Sequence, residues 1–337
     1  MTGRERNAPN MSSGEDSLIA RYFRPLATDP GAFGLVDDAA ILQGRGDEIV
    51  VTTDAIVEGV HFLPDDSPDT IARKALRVNL SDLAAKGAVP AGFVLTLALR
   101  TQDDGWLAPF ARALGEDAGL FGCPLLGGDT VSTPGPVMIS VTAFGRVPPG
   151  KMVRRSGAKP GDRIVVTGTI GDAALGLDIL KGGAVATALA QDAAASRMLA
   201  GRYRVPQPRN ALAQAVRDHA HAAMDVSDGL AGDLAKLCAA SQVSAVIDIK
   251  SIPLSAAAAE LLARGAVGIE TIVSGGDDYE ILCAIPEAGF AAFARAAELA
   301  GVAVSSIGTV IAGTSVPRFL DAQGREIALT RLSYSHF

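Results

Sequence analysis

The chain lacks the features that mark membrane, zinc and nucleic-acid proteins. No run of about 18 or more apolar residues occurs, so no segment is suited to span a bilayer as a helix. Cysteine is scarce: Cys123, Cys238 and Cys283 stand apart and are odd in number. That excludes a disulfide framework or a zinc ligand pair as the organising feature, and buried small side chains are expected instead. Only 4 histidines are present, a poor supply for a zinc or redox-metal site. Aromatic residues make up 5%, with Trp106 the sole tryptophan, whereas proteins that stack bases spend more of them. The net charge of −7 argues against a polyanionic partner such as nucleic acid. It leaves room for a phosphorylated small molecule, because bound divalent cations reverse the sign of a local site. The common nucleotide signatures are missing too: there is no G-x-x-x-x-G-K-[ST] loop and no protein-kinase signature set.

What is present fits a globular protein. The chain has 337 residues, 48% of them hydrophobic, enough for one large domain or two ordinary ones. Residues 1–13 carry Arg4, Arg6, Pro9 and two serines without an apolar core, which reads as a disordered tail and not a signal peptide. Together with the thiol usage, this places the expected location in the cytoplasm. A helical apolar pattern runs from Ser17 to Phe23. Ile49 to Thr53 reads as a strand ending at Asp54. Ser67-Pro68-Asp69 is a helix start, and the pattern continues to Lys86, where Gly87 stops it. Strands are expected over 92–99, 137–144, 163–167, 245–249, 281–284 and 306–311. Helices are expected over 106–120, 173–180, 185–199 and 287–300, with another opening near Arg209. Strands and helices alternate in both halves, so the class is α+β, a mixed α/β fold. Pro148-Pro149-Gly150 marks a boundary between residues 14–150 and 151–337.

Short acidic motifs recur along this frame. They are Val36-Asp37-Asp38, Thr52-Thr53-Asp54, Asn79-Leu80-Ser81-Asp82, Gly127-Gly128-Asp129, Asp225-Val226-Ser227-Asp228-Gly229 and Gly275-Gly276-Asp277-Asp278-Tyr279-Glu280. Any one of them alone reads as a turn or a polar helix face. Asp82, however, sits among Leu76, Val78, Leu80, Leu83, Ala84 and Ala85, where a carboxylate needs a partner. Several carboxylates gathered in one place would repel strongly without cations. Magnesium takes a few carboxylates, several waters and substrate phosphates, so it suits such a set. Gly168-Thr169-Ile170-Gly171, after a strand and before a helix, reads either as part of a phosphate loop or as a plain glycine turn.

At these residues the chain resembles thiamine-monophosphate kinases, in the superfamily of aminoimidazole-ribonucleotide synthetase and selenophosphate synthetase. The resemblance also draws on Glu58-Gly59-Val60-His61-Phe62, Arg155-Ser156-Gly157-Ala158-Lys159-Pro160-Gly161-Asp162 and Tyr334-Ser335-His336-Phe337. It implies a two-domain synthetase-like fold: an N-terminal domain whose sheet pairs across a homodimer, and a larger C-terminal α/β domain. The implied reaction moves the γ-phosphoryl of ATP onto thiamine monophosphate with several Mg2+ ions. By position, it implies magnesium ligands at Asp38, Thr52, Thr53, Asp54, Asp82, Asp129, Asp225 and Asp228. Nucleotide contacts are implied at Gly128, Asp129, Arg155 and Ser227, and thiamine-phosphate contacts at His61, Asp277 and Tyr334. No general base is implied. The chain departs from the family pattern at Val36, Ala111, Asp277 and Ser333; at Asp277 relatives usually have Glu. Another ATP-using synthetase and a catalytically silent homologue are the competing readings. Selenophosphate synthetase would carry a cysteine or selenocysteine near its N-terminus, and the first cysteine here is Cys123.

Overall fold

The structure, a computed structural model, describes residues 18–35, 44 and 46–333. Ile19–Phe23 winds as a π-helix, so the expected helical stretch is present with a wider turn. Strand β1 (Glu48–Val57) runs through Asp54 instead of stopping there. Helix α1 (Pro68–Ala85) begins after Ser67, with Pro68 in its first turn. Beyond Lys86, Gly87 turns the chain at φ +69°, and a Cβ there would lie 2.4 Å from Arg217 Cγ, so only glycine fits. Strand β2 (Val89–Leu99), helix α2 (Asp104–Leu120) and strands β3 (Leu125–Ser132) and β4 (Met138–Val147) follow. These strands form one sheet in the order β1-β4-β2-β3, antiparallel except for the β2–β3 pair.

The sequence did not announce β3. Its Gly127-Gly128-Asp129 lies inside the strand, with Gly128 opposite Leu95. A Cβ on Gly128 would fall 1.9 Å from the Leu95 carbonyl oxygen, so this glycine is required for the two strands to approach.

Residues 148–162 hold no helix or strand and lead to the second sheet. That part comprises β5 (Arg163–Thr167), α3 (Asp172–Leu180), α4 (Ala184–Ala188) and α5 (Ala193–Arg204). The single helix expected over 185–199 is therefore two. Asp192 breaks it by accepting the backbone N–H groups of Ala194 and Ala195 as a new N-cap. The chain continues with α6 (Ala213–His219), β6 (Ala222–Val226), α7 (Leu230–Ser241), β7 (Ser244–Asp248), α8 (Ala256–Ala263) and α9 (Ile269–Ser274). It closes with β8 (Glu280–Ile285), α10 (Glu287–Leu299), β9 (Val304–Ile311) and β10 (Arg318–Leu320). The second sheet has the order β10-β7-β9-β5-β8-β6.

Helix α1 joins the two parts. Its Leu76, Leu80 and Leu83 are fully buried in the core of the first sheet, each contributing roughly 2 kcal/mol of transfer free energy. Its Ala84 and Ala85 instead pack with Val165, Ala223, Ile281 and Phe293 against the second sheet. The Lys86 ammonium extends this joint by donating to the Ala223 carbonyl at 2.7 Å. Residues near the end of α1 are thus held at the seam between the sheets, and Asp82 is one of them.

Candidate active site

A cavity of about 500 Å³ opens at that seam. Asp54 of β1 and Asp82 of α1 line it from the first part of the chain. Asp225 of β6, Ser227 and Asp228 line it from the second, together with Arg155, His61 and Asp277. A second cavity of about 440 Å³ holds Thr52, Lys86 and Arg154 and shares Asp82 and Arg155 with the first. Eight of the residues expected from sequence therefore meet in one place, and Thr52 lies next door.

Other expected residues do not join them. Thr53 turns to the opposite face of β1, where its hydroxyl donates to the Val141 carbonyl at 3.2 Å and accepts from Thr142. Gly128 and Asp129 line neither cavity. Asp38 and Tyr334 lie outside the described residues, as does Val36. Ala111 is buried in the core around α2, 4% exposed. Ser333 packs against Gly232, where a Cβ would come within 2.4 Å of the serine Cβ.

The carboxylates crowd one another. Asp54 lines the cavity, and the surrounding protein mass, with the charges of Asp82 and Asp228, pushes its carboxyl up to about 6. Asp225 is 4% exposed. Burial, then the charges of Asp82 and Asp233, hold its carboxyl well above the ordinary range, while a hydrogen bond from Ser81 pulls the other way. Asp82 accepts a hydrogen bond from the Thr52 hydroxyl. Lys236 beside Asp228 and Lys86 near Asp225 and Asp82 offset only part of that repulsion. Among the described residues, no three carboxylate, histidine or cysteine side chains come together as an all-protein metal cage. Magnesium does not require one, since it binds through one or two carboxylates plus waters and phosphates. The donor set fits that ion.

The second half of the site is braced in a way the sequence did not reveal. Asp233, fully buried on α7, accepts the backbone N–H groups of Ser227 at 3.0 Å and Asp228 at 2.9 Å. Lys236, one turn further along, donates to Asp233 at 2.9 Å and to Asp228. The neighbouring loop is stitched on by the Asp277 N–H to the Ser227 carbonyl and the Tyr279 N–H to the Val226 carbonyl, both 2.8 Å. To do this, Asp277 (φ +72°) and Tyr279 (φ +50°) take the left-handed conformation, which is costly for non-glycine residues and is found at functional loops. Gly276 permits the contact, because a Cβ there would lie 2.5 Å from the Ser227 carbonyl oxygen. Asp233 was findable as a second acidic residue one turn inside the helix that follows the Asp-Gly turn; Lys236 carried no such signal.

His61 sits in a tight turn. Its Nδ1 accepts the Val57 N–H at 3.1 Å, which leaves the proton on Nε2. Its carbonyl accepts from the Tyr203 hydroxyl at 3.0 Å. The Gly168–Gly171 turn proves to be structural. The buried carboxylate of Asp278 accepts the N–H groups of Gly171 at 2.7 Å and Ala173 at 3.2 Å, filling the start of α3 where a phosphate would sit. Lys159 and Asp162 form a polar turn before β5, the Lys159 N–H donating to Asp162 at 2.8 Å.

Two family models match the chain: AIR synthase related protein, N-terminal domain, over residues 36–147, and its C-terminal domain, over residues 159–320. Over 324 residues the chain is 46% identical to the thiamine-monophosphate kinase of Caulobacter vibrioides, covering 94% of this chain and 89% of that one. The chain belongs to the thiamine-monophosphate kinase family. Its enzyme class is therefore that of a phosphotransferase. The solved thiamine-monophosphate kinase of Stenotrophomonas maltophilia K279a superimposes with a TM-score of 0.81 at 38% identity, over 93% of this chain and 96% of that one. AaThiL complexed with AMPPCP and TMP superimposes with a TM-score of 0.75 at 27% identity, over 91% of this chain and 97% of that one. The mixed two-sheet architecture is the one these family members share.

Proposed function

We propose that the chain transfers the γ-phosphoryl group of ATP in line onto the phosphate of thiamine monophosphate, giving thiamine diphosphate and ADP. The observation that carries this is the convergence of Asp54, Asp82, Asp225 and Asp228 with Arg155, His61 and Asp277 on one cavity. The family's activity and the AaThiL complex, which pairs an ATP analogue with TMP, support the same reading.

In this reading Asp54, Asp82, Asp225 and Asp228 hold Mg2+, with Thr52 beside them and Asp38 and Asp129 completing the set by family position; the Thr53 hydroxyl, bonded on the other face of β1, would leave only its backbone to join them. Bound magnesium supplies positive charge to the phosphoryl oxygens of two polyanions that would otherwise repel. Arg155, on the rim shared by both cavities, adds a guanidinium toward the same oxygens. Ser227 and the Gly128-Asp129 segment contact the nucleotide. Asp277 faces the cationic ring of thiamine, and His61 offers Nε2–H to the thiamine phosphate, with Tyr334 completing that end. No residue has to remove a proton, because the acceptor phosphate is already a nucleophile at neutral pH. The protein's part is positioning and electrostatics.

We further assign residues 14–150 to an ATP- and metal-binding domain and 151–337 to a C-terminal domain. A cytoplasmic homodimer joined through the first sheet completes the proposal; β1 is an edge strand of that sheet and leaves Val51 58% exposed. The test is formation of thiamine diphosphate from thiamine monophosphate, ATP and magnesium. Product that depends on magnesium is expected. No product at any magnesium concentration would sink the reading, and metal-independent binding of an ATP analogue without turnover would point to a silent homologue.

A further inference from the structure

We propose that Lys74 is a positioning residue for the substrate end of the cavity, its buried ammonium setting where the Asp277 carboxylate points and bracing the His61 turn through the Tyr203 ring. The inference rests on the assignment of Asp277 and His61 to thiamine monophosphate.

Lys74 lies on α1 and is 1% exposed. Lysines near a surface usually extend the ammonium into water. This one does not, and its Nζ has no hydrogen-bond partner among the described residues. A charge so placed is costly unless something nearby compensates it. Two groups do. Asp277 Oδ1 lies 3.4 Å away, and the centroid of the Tyr203 ring lies 3.6 Å away, close enough for a cation–π contact. Both lead to the cavity. Asp277 lines it directly, and the Tyr203 hydroxyl donates at 3.0 Å to the carbonyl of His61, which also lines it. One ammonium thus touches both arms that reach the substrate end.

Arg77, one turn along the same helix, shows what a purely structural cation looks like here. It donates to both oxygens of buried Asp117 and to the Pro206 carbonyl, and its partners line neither of the two cavities described above. Lys74 is held by one ion contact and one ring. Its ion partner is a residue in the left-handed conformation on the cavity wall. Asp has a short side chain, so its reach into the cavity is set by where its cationic neighbour holds it. A cationic ring needs that carboxylate ionised and correctly placed. Lys74, 3.4 Å from Oδ1, fixes that placement.

The experiment is steady-state kinetics of Lys74→Met with thiamine monophosphate and ATP varied separately. The KM for thiamine monophosphate is expected to rise about tenfold, with kcat and the KM for ATP within about twofold of wild type. In an Asp277→Asn background the same substitution is expected to change that KM less than about twofold, because the carboxylate it places has lost its charge. Tyr203→Phe, which removes only the hydroxyl that braces His61, gives a second test should Lys74→Met fold poorly. It is expected to raise the same KM about threefold and nothing else. An unchanged or lowered KM, an equal loss in kcat, or an undiminished effect in the Asp277→Asn background overturns the positioning role. Wild-type protein that makes no thiamine diphosphate overturns the reading beneath it instead.

Discussion

The two walls of the cavity are built on opposite principles. On the second-sheet side, Asp233 holds two backbone N–H groups of the Ser227-Asp228 segment, Lys236 neutralises Asp228, and the 277–279 loop is hydrogen-bonded to the same segment. On the first-sheet side, Asp82 accepts from the Thr52 hydroxyl, and the Asp54 carboxyl is driven up to about 6. The first contrast is geometric: one wall is fixed before any ligand arrives. The second is electrostatic: the other wall is under repulsion until a cation arrives. Rigidity and charge deficit together are what a metal-assisted phosphoryl transfer needs, since positioning must come from the protein and neutralisation from the ions.

The largest expected effect comes from removing charge at the junction of the walls. Asp82→Asn or Asp225→Asn should lower kcat/KM by about a hundredfold or more. Thermal unfolding of the metal-free variants should not fall in step. For Asp225 it should rise, because the buried carboxylate is penalised by desolvation and by Asp82 and Asp233. Calorimetry without magnesium, alongside kinetics with it, separates the two. Wild-type kinetics in both variants would falsify the ligand assignment.

A smaller effect is expected from pH. In the metal-free fold, Asp54 binds its proton up to about 6, whereas its ordinary value is 3.8. Between those values the folded state holds a proton that the unfolded chain has lost, so stability falls as pH rises through this window. The penalty is complete above about 6. A bound cation removes it, so the rise in Tm on adding magnesium should grow between about pH 5 and pH 7, and magnesium binding should release protons. A magnesium-induced shift that is flat across this range would mean that Asp54 does not meet the ion.

The contrast between the walls also explains what was legible in the sequence. Helix α1 and the apolar strands β2, β4 and β5 announced themselves because a core face needs regular apolar spacing and a glycine stop. Strands β3 and β6 did not, since Gly127-Gly128-Asp129 and Asp225 look like turn residues when the close strand contact at Leu95 is unseen. The aspartates of the charged wall could be read by position. The supports of the fixed wall could not, because Lys74–Asp277 and Asp233 with its backbone donors are set by which loops the fold brings together. Lys74 did leave a trace: it occupies the helical row of Ile71, Ala75 and Val78, where an apolar residue belongs.

The smallest expected effect tests whether the fixed wall is fixed by charge as well as by backbone. Lys236 is 41% exposed on its side chain, so its pairing with Asp228 is screened and is worth no more than about 1 kcal/mol. Lys236 also donates to the buried Asp233 carboxylate, but the two backbone N–H bonds that Asp233 accepts are separate from that contact. Lys236→Met should therefore leave the loop in place and lower the Tm of the metal-free protein only modestly, through the lost cation beside buried Asp233. What it removes is the cation that, among the described residues, pairs with Asp228 and so competes with magnesium for it. Magnesium affinity, followed by titration calorimetry, should then rise by about threefold, with kcat at saturating magnesium unaltered. A fall in affinity would show that Lys236 holds Asp228 in its ligating position, so that the fixed wall depends on its own salt bridge and the two walls differ less than their hydrogen bonds imply.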